Sequence, residues 1–172
     1  MIRDAVPADF AAVLALNEAF VAVLSPLDAA RLARLHAQAA SHRVAEVEGR
    51  VTAFLLALRE GADYDSPNYR WFAQRYPRFL YVDRVVVAGD AQARGAGTLL
   101  YRELHAQARR DAVPWITCEF DLEPPNPASE RFHARLGFRE VGRQALYGGS
   151  KTVSLQALDV AAVDTPLAAP AG

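Results

Sequence analysis

One short segment, Gln92-Ala93-Arg94-Gly95-Ala96-Gly97-Thr98, constrains the fold of this chain more than any other. It follows an apolar stretch, Phe79 to Val87, typical of a buried strand, and it opens an amphipathic stretch, Gly95 to Arg110, typical of a helix. A helix N-terminus exposes unpaired backbone N–H groups with about half a positive charge, and glycines let an anion approach the backbone without meeting a Cβ atom. The segment therefore predicts a strand–turn–helix unit that holds phosphate.

Two well-known phosphate-binding turns, the Walker A loop and the dinucleotide-binding turn, do not match these residues fully. A Walker A loop requires Gly-Lys-Ser/Thr, which is absent, so nucleotide hydrolysis by that route is excluded. A dinucleotide-binding turn requires glycine at the position of Leu100, although Glu119 stands near the place of an acid that binds a ribose. A dinucleotide-binding oxidoreductase therefore stays an alternative, and so does a helix start with incidental glycines.

The segments before residue 60 predict two helices followed by two antiparallel strands. Residues 2–6 favour a short strand, and a helical apolar stripe then ends before Ser25-Pro26. Asp28 is placed to cap a second helix, and Gly49-Arg50 separates strands 43–48 and 51–59 as a two-residue hairpin turn. The buried stripe of the first helix is Phe10, Val13, Leu14, Asn17, Phe20, Val21 and Leu24, and that of the second is Leu32, Leu35 and Ala39.

The second half predicts a β-α-β unit, a further helix and a closing hairpin. Residues 61–78 carry aromatic side chains without strand or helix periodicity, so we interpret them as a long connection that is either a lid or a cover for the sheet edge. Residues 115–120 form the strand that pairs with 79–87 through a right-handed crossover. Asn126 and Pro127 begin a helix that ends at Gly137, and strands 138–147 and 151–158 flank Gly148-Gly149-Ser150.

Composition narrows the class of protein. The chain has 172 residues and a formal net charge of -1, so it offers no basic field to a nucleic acid. The single Cys118 favours a reduced, cytoplasmic setting, and we expect neither a membrane span nor a leader. The four histidines are far apart, which predicts no metal site. We expect one domain over residues 1–158 and a disordered tail over 159–172.

Two motifs carry a family resemblance. Gln92, Gly95 and Gly97 match the Q/R-x-x-G-x-G/A signature of the GCN5-related N-acetyltransferases (GNAT). The block from Asn126 to Phe138 resembles the family's later helix, N-x-x-A/S-x-x-hydrophobic-Tyr-x-x-x-Gly-Phe, with His133 in place of the tyrosine. The order of elements from residue 2 to about 158 also resembles the family.

The resemblance implies an α/β fold (α+β by some schemes) with a mixed, mostly antiparallel sheet of about six or seven strands flanked by about four helices. The central strands 79–87 and 115–120 would splay apart to admit the pantetheine arm of acetyl-CoA. It implies transfer of an acetyl group to a primary amine of a small molecule or a peptide N-terminus without a metal ion, and it leaves a homodimer open. The residues that would bind acetyl-CoA are Val85, Val86, Val87, Gln92, Ala93, Arg94, Gly95, Ala96, Gly97, Thr98, Asn126, Ser129, Phe132 and His133.

Three residues are candidates for proton transfer. His133 occupies the position of the family's acid, and we hypothesise that it protonates the thiolate or binds its sulfur, although a structural histidine is the alternative. Strand alternation places Tyr81, Asp83, Val85 and Val87 on one face, so Asp83 would enter the slot as a base or bind the amine, unless it pairs with an arginine. Glu119 is a second candidate base, and a chain of water molecules is an alternative to both carboxylates. Backbone N–H groups of the splayed strand would form the oxyanion site.

The acceptor is expected between the first two helices and residues 61–78. An aromatic pocket with one or two acids suits a small, partly apolar amine. The candidate acceptor-binding residues are Asn17, Phe20, Tyr64, Tyr69, Trp71, Tyr81 and Asp83, with Tyr76 nearby. Because Cys118 lies on an apolar strand face, we expect direct attack on the thioester. An acyl-CoA-binding module without turnover is the alternative, favoured by the departure at His133.

Overall fold

A computed structural model describes residues 1–22, 24–92 and 94–163. Within them, the chain forms seven strands and six α-helices. The strands are β1 (Ile2–Asp4), β2 (Ser41–Val47), β3 (Arg50–Arg59), β4 (Leu80–Val87), β5 (Trp115–Glu123), β6 (Arg139–Leu146) and β7 (Lys151–Asp159), and the helices are α1 (Phe10–Ala19), α2 (Ala29–Gln38), α3 (Pro67–Ala73), α4 (Gly89–Gln92), α5 (Ala96–Arg110) and α6 (Pro127–Leu136).

One sheet contains all seven strands in the order β1-β2-β3-β4-β5-β7-β6. Every neighbouring pair is antiparallel except β4 and β5, which are parallel. These two strands pair only at Leu80 with Ile116 and at Tyr81 with Thr117, and they diverge beyond that point. The predicted mixed sheet with splayed central strands is therefore confirmed, with six helices instead of about four.

Helices cover both faces of the sheet and enclose two apolar cores. On one face, α5 and α6 bury Leu100, Leu104 and Leu136 against β4 and β5. On the other face, α1, α2 and α3 bury Val13, Leu32, Leu35 and Phe72 against the centre of the sheet. The two helical layers leave the carboxyl-terminal half of β4, where it parts from β5, accessible between them.

A bulge in β4 corrects the predicted side-chain alternation. Arg84 pairs with Leu56 and Val82 pairs with Ala57, so Asp83 is an extra residue without a counterpart in β3. An inserted residue changes which side chains share a face. Tyr81 accordingly packs in the core beneath α1 to α3, while Val85 and Val87 pack toward α5. The prediction that Tyr81, Asp83, Val85 and Val87 share one face was wrong.

Several predicted boundaries move. The first helix ends at Ala19 rather than reaching Leu24, and Val21 is exposed. The hairpin turn is Glu48-Gly49 rather than Gly49-Arg50, because both residues have the positive φ that this turn requires (50° and 77°). The segment predicted to be a long connection contains α3, which Ser66 caps by accepting a hydrogen bond from the Tyr69 N–H.

The predicted caps of α2 and α6 agree with the structure, whereas β5 is longer than predicted. Asp28 and Asn126 cap α2 and α6 as predicted, and Gly137 ends α6 with a φ of 98°. Strand β5 extends to Glu123, past the predicted end at Phe120. Of the predicted tail, Val160 is buried, and residues 164–172 lie outside the described residues. Across the described part of the chain, no helix is long and apolar enough to cross a membrane.

Candidate active site

A cavity of about 1090 Å³ opens where β4 and β5 diverge. Its walls come from β4 and β5, from the N-terminus of α5, from α6, and from the segment that leads into α3. A cleft of this size that joins a helix N-terminus to buried ionisable groups is the usual form of a small-molecule site.

The start of α5 presents free backbone donors to this cavity. Gly95 precedes the helix in the left-handed conformation, with a φ of 70° that a glycine adopts without strain. The first intrahelical bond runs from the Leu99 N–H to the Gly95 carbonyl, so the N–H groups of Ala96, Gly97 and Thr98 have no intrahelical acceptor. Gln92 closes the turn by donating its side-chain amide to the Val87 carbonyl at 2.9 Å.

Gly97 is a point of close approach between the turn and α6. A Cβ atom at this position would lie 3.1 Å from the Phe132 ring and 3.4 Å from Val87. Glycine at this position therefore lets the turn pack closely against α6, and a larger residue would require Phe132 to shift.

The predicted cofactor-binding set is only partly gathered. Its members that line the cavity are Val85, Val86, Val87, Gln92, Gly95, Gly97, Thr98, Asn126, Ser129, Phe132 and His133. Arg94 instead borders a second cavity of about 200 Å³ beside Asp90, and Ala96 is buried in the core next to the turn. Ala93 lies outside the described residues. Asn126 also caps α6 by accepting from the Ser129 N–H, as predicted.

His133 lies on the cavity wall with both ring nitrogens engaged. Nδ1 is 2.8 Å from the Ser129 carbonyl oxygen, which can only accept, so Nδ1 carries a proton. Burial lowers the pKa of His133, which keeps the ring neutral at pH 7 and leaves a lone pair on Nε2. The Tyr101 hydroxyl donates to that lone pair at 2.9 Å.

Sequence reasoning missed Tyr101. It lies four residues after Gly97 on α5, so it follows the turn by one helical turn and points toward α6. The four-residue spacing from Gly97 could have indicated that Tyr101 lies near the turn. The structure thus places a tyrosine hydroxyl beside the histidine that stands where the GNAT pattern has tyrosine.

Glu119 is a half-buried carboxylate on the cavity wall without an ion-pair partner among the described residues. Burial raises its pKa to about 8, and hydrogen bonds from Tyr81 and Asn68 offset this only in part. The Tyr81 hydroxyl is 2.8 and 2.9 Å from the two carboxylate oxygens. A carboxyl with a pKa near the working pH has the ionisation behaviour of a general base.

Asp83 has a different environment. One oxygen accepts from the Tyr64 hydroxyl, and the other accepts from Arg84 Nε at 2.7 Å. Arg84 is itself buried and donates to Asn17 Oδ1 at 2.9 Å and to the Ser25 carbonyl at 3.2 Å. Asp83 therefore has the arginine partner that was the alternative to a catalytic role. This partner is the adjacent residue, Arg84, which the sequence analysis did not identify.

The structure brings together only some of the predicted acceptor-binding residues. Phe20, Tyr64 and Asp83 line the cavity. Asn17 is buried behind Arg84, and Tyr81 faces Glu119 from the core. Tyr69 braces a loop by donating to the Arg59 carbonyl, and Trp71 packs over Gly142 of β6. Tyr76 packs against Trp115. The predicted aromatic pocket is therefore mostly a second core, because α3 turns these rings inward.

Other side chains line the acceptor side of the cavity and were not predicted. Asn68 projects from α3, and Lys151 forms an ion pair with Asp121 at 3.2 Å. Arg31 lies over the Tyr64 ring and pairs with Asp65. Among the described residues, no group of three or more histidine, cysteine, aspartate or glutamate side chains is arranged to hold a metal ion.

Comparison with known proteins places this architecture in a family. The model of the acetyltransferase (GNAT) family matches residues 12–138, so the chain belongs to this family. No match to a curated protein is found by sequence.

Solved structures share the fold. Ribosomal-protein-alanine N-acetyltransferase from Brucella melitensis is 25% identical, with a TM-score of 0.67 over 92% of this chain and 99% of that one. yncA from Salmonella typhimurium, solved with acetyl-CoA, is 24% identical, with a TM-score of 0.66 over 100% and 98% of the chains. Naa20 from Chaetomium thermophilum, in complex with a bisubstrate analogue, is 17% identical, with a TM-score of 0.75 over 99% and 93%.

Proposed function

We propose that this protein transfers the acetyl group of acetyl-CoA to a primary amine of a small molecule or peptide, by direct attack of the amine on the thioester. One observation carries the proposal. A single cavity joins the free N–H groups of α5 to Glu119 and to the Tyr101–His133 pair, at the point where β4 and β5 part. Similar structures were solved with acetyl-CoA and with a bisubstrate analogue, which supports the same ligand class here.

The N-terminus of α5 fits a pyrophosphate. The N–H groups of Ala96, Gly97 and Thr98 would hold its oxygens, since they have no intrahelical acceptor. Beyond Tyr81, β4 has no strand partner on its β5 side within the described chain, so its backbone is available to an extended pantetheine arm. Its N–H groups would also stabilise negative charge on the acetyl oxygen.

Acetyl-CoA supplies the activated acetyl group, and the chain moves two protons. Glu119 takes a proton from the attacking amine. The Tyr101–His133 pair lines the cavity beside α6, and we assign to it the proton that the departing sulfur receives. Water restores this proton between turnovers. Asp83 has both oxygens engaged, so its proposed part is to orient Tyr64 and Arg84 in the acceptor wall.

Thermal shift and thiol release with the wild-type protein test this proposal. We expect acetyl-CoA to raise the melting temperature, and a panel of amines, amino acids and short peptides to include acceptors that release thiol. Mass spectrometry should find no acetyl thioester on Cys118, because this thiol is buried and burial raises its pKa. Binding of acetyl-CoA without thiol release would instead indicate a binding module, and stabilisation by NAD(P) alone would indicate an oxidoreductase.

Gly97→Ala tests the pyrophosphate position. The added Cβ would crowd Phe132 and force the turn or the Phe132 ring to shift where both line the cavity, so we expect the Kd for acetyl-CoA to rise about tenfold or more in calorimetry. Gly89→Ala is the matched control, since a Cβ there meets nothing within 4 Å. Equal affinities for the two variants would contradict the assignment.

Glu119→Gln tests the base. A base must be ionised to accept a proton, and the pKa of Glu119 is about 8, so wild-type kcat/KM should rise with pH and level off above about 8. The variant should lower kcat by about 10²- to 10³-fold and lose this rise. The acceptor should be an amine that is already neutral at the lowest pH used. A rise that persists in the variant would assign the titration to another group.

His133→Phe tests the part of His133 in the Tyr101–His133 pair, to which we assign the proton of the departing sulfur. The phenyl ring preserves packing against Phe120 and Phe138 but removes both nitrogens, so we expect kcat to fall by about 10²-fold with little change in the Kd for acetyl-CoA. His105→Phe alters a buried histidine on α5 that does not line the cavity, and it should leave kcat near wild type. Near-wild-type kcat in His133→Phe across the pH range would refute the role of His133.

A further inference from the structure

Lys151 is the only lysine in the sequence, and its side chain lines the active-site cavity. All other positively charged side chains are arginines, whose guanidinium groups stay protonated and are not nucleophiles at neutral pH. The Lys151 side chain is 28% exposed, so a ligand in the cavity can reach it. The one side-chain amine of the chain therefore lies in the cavity where we propose that an amine attacks acetyl-CoA.

The pairing of β5 with β7 places Lys151 on the acceptor side of the sheet. Glu119 pairs with Leu155 and Asp121 with Val153, and no bulge separates these two pairs. Val153 and Leu155 belong to the core beneath α1 to α3. Since side chains alternate along a strand, Lys151 lies on the same face of β7 as Val153. It is therefore the next side chain along this face of β7, toward the open end of the cavity.

Asp121 holds the Lys151 amine close to the proposed base. The Lys151 Nζ lies 3.2 Å from the Asp121 carboxylate, which is 7% exposed, so the ion pair keeps the amine at the cavity wall. Glu119 and Asp121 both line the cavity from one face of β5, where such positions are about 7 Å apart. Rotation of the flexible four-carbon stem of Lys151 carries Nζ from Asp121 toward Glu119.

We propose that Lys151 is a self-acetylation site, at which Nζ attacks the thioester of bound acetyl-CoA when no acceptor occupies the cavity. This inference rests on the proposed function. The lysine and an external amine would use the same thioester and the same base, so a bound acceptor protects Lys151. The modified chain carries an acetyl-lysine in the wall of its own acceptor site.

The protons and bonds balance in this step. The lysine ammonium first gives one proton to water, because attack requires a lone pair on nitrogen. A C–N bond then forms to the acetyl carbon and the C–S bond breaks, while Glu119 takes a second proton from the nitrogen. The sulfur receives its proton from the Tyr101–His133 pair. The last hydrogen remains as the amide N–H, and the positive charge beside Asp121 is lost.

Incubation of the wild-type protein with acetyl-CoA, without added amine, tests the inference. Mass spectrometry should show one acetyl group on each chain, and peptide mapping should locate it on Lys151. The rate should be first order and independent of protein concentration, because the nucleophile and the bound thioester belong to one complex. The best primary amine of the acceptor panel should slow the modification.

A lysine outside the cavity provides the matched control. Arg143 is an exposed residue of β6 that pairs with Glu140 and does not line the cavity. Arg143→Lys therefore adds an amine beside a carboxylate but away from the thioester, and this amine should be acetylated about 10²-fold or more slowly than Lys151. Lys151→Arg retains a cation for Asp121 and should abolish the fast acetylation.

Glu119→Gln should slow acetylation of Lys151 about 10²-fold, since it removes the proposed base. Equal rates at Lys151 and at the lysine of Arg143→Lys, or a rate at Lys151 that rises with protein concentration, would overturn the inference. Thiol release with external amines while Lys151 stays unmodified would also overturn it and would leave the proposed function standing. If neither Lys151 nor any amine is acetylated, both the proposed function and this inference fail.

Discussion

The parting of β4 from β5 after two paired residues is the constraint on which the rest of the structure depends. Strands inside a sheet normally satisfy their backbone groups through both neighbours, and unpaired groups away from water are costly. Here the two halves of the sheet, β1 to β4 and β5 to β6, stay joined by a short parallel contact and separate beyond it. Helices α5 and α6 on one side and α1 to α3 on the other keep the gap from closing. The cavity is therefore built into the topology, and no loop movement is needed to create it.

Two carboxylates on the facing strands show how burial divides chemical roles. Asp83 sits at the bulge of β4 and is compensated by Arg84 and Tyr64, which tie β4 to the α1–α2 segment through Ser25 and Asn17. Removing one partner of such a buried pair costs about 3–5 kcal/mol, so this pair acts first as structure. Glu119 on β5 forms no ion pair within the described part of the chain, and desolvation, together with the charge of Asp83, raises its pKa to about 8. The ion pair thus marks Asp83 as a structural group, and the raised pKa of Glu119 marks it as the candidate base.

The sequence predicted what depends on local geometry. Gly95 and Gly97 indicate a helix start with exposed backbone, and Asn126 with Pro127 indicates a capped helix. Both signals are readable because helix-start preferences depend on only a few neighbouring residues. The bulge at Asp83 could not be predicted in this way, since it arises from pairing with β3. The same holds for the aromatic residues of 61–78. Ser66 and Pro67 have the residue types of a helix start. Which side chains face the cavity depends on how α3 packs on the sheet, and this packing places Asn68, but not Tyr69 or Trp71, in the cavity wall.

The exchange of tyrosine for histidine at position 133 is best understood together with Tyr101. The GNAT pattern brings a phenol to this place from α6, whereas this chain brings one from α5 and fills the α6 position with an imidazole 2.9 Å away. The Ser129 carbonyl determines which nitrogen of His133 is protonated, and that in turn makes the Tyr101 hydroxyl a donor toward the ring. Each group constrains the other, so replacing either one changes the number and the positions of the protons that the pair holds. A departure in one motif position thus has its structural counterpart on a neighbouring helix, one turn after the glycine that begins the phosphate-binding turn.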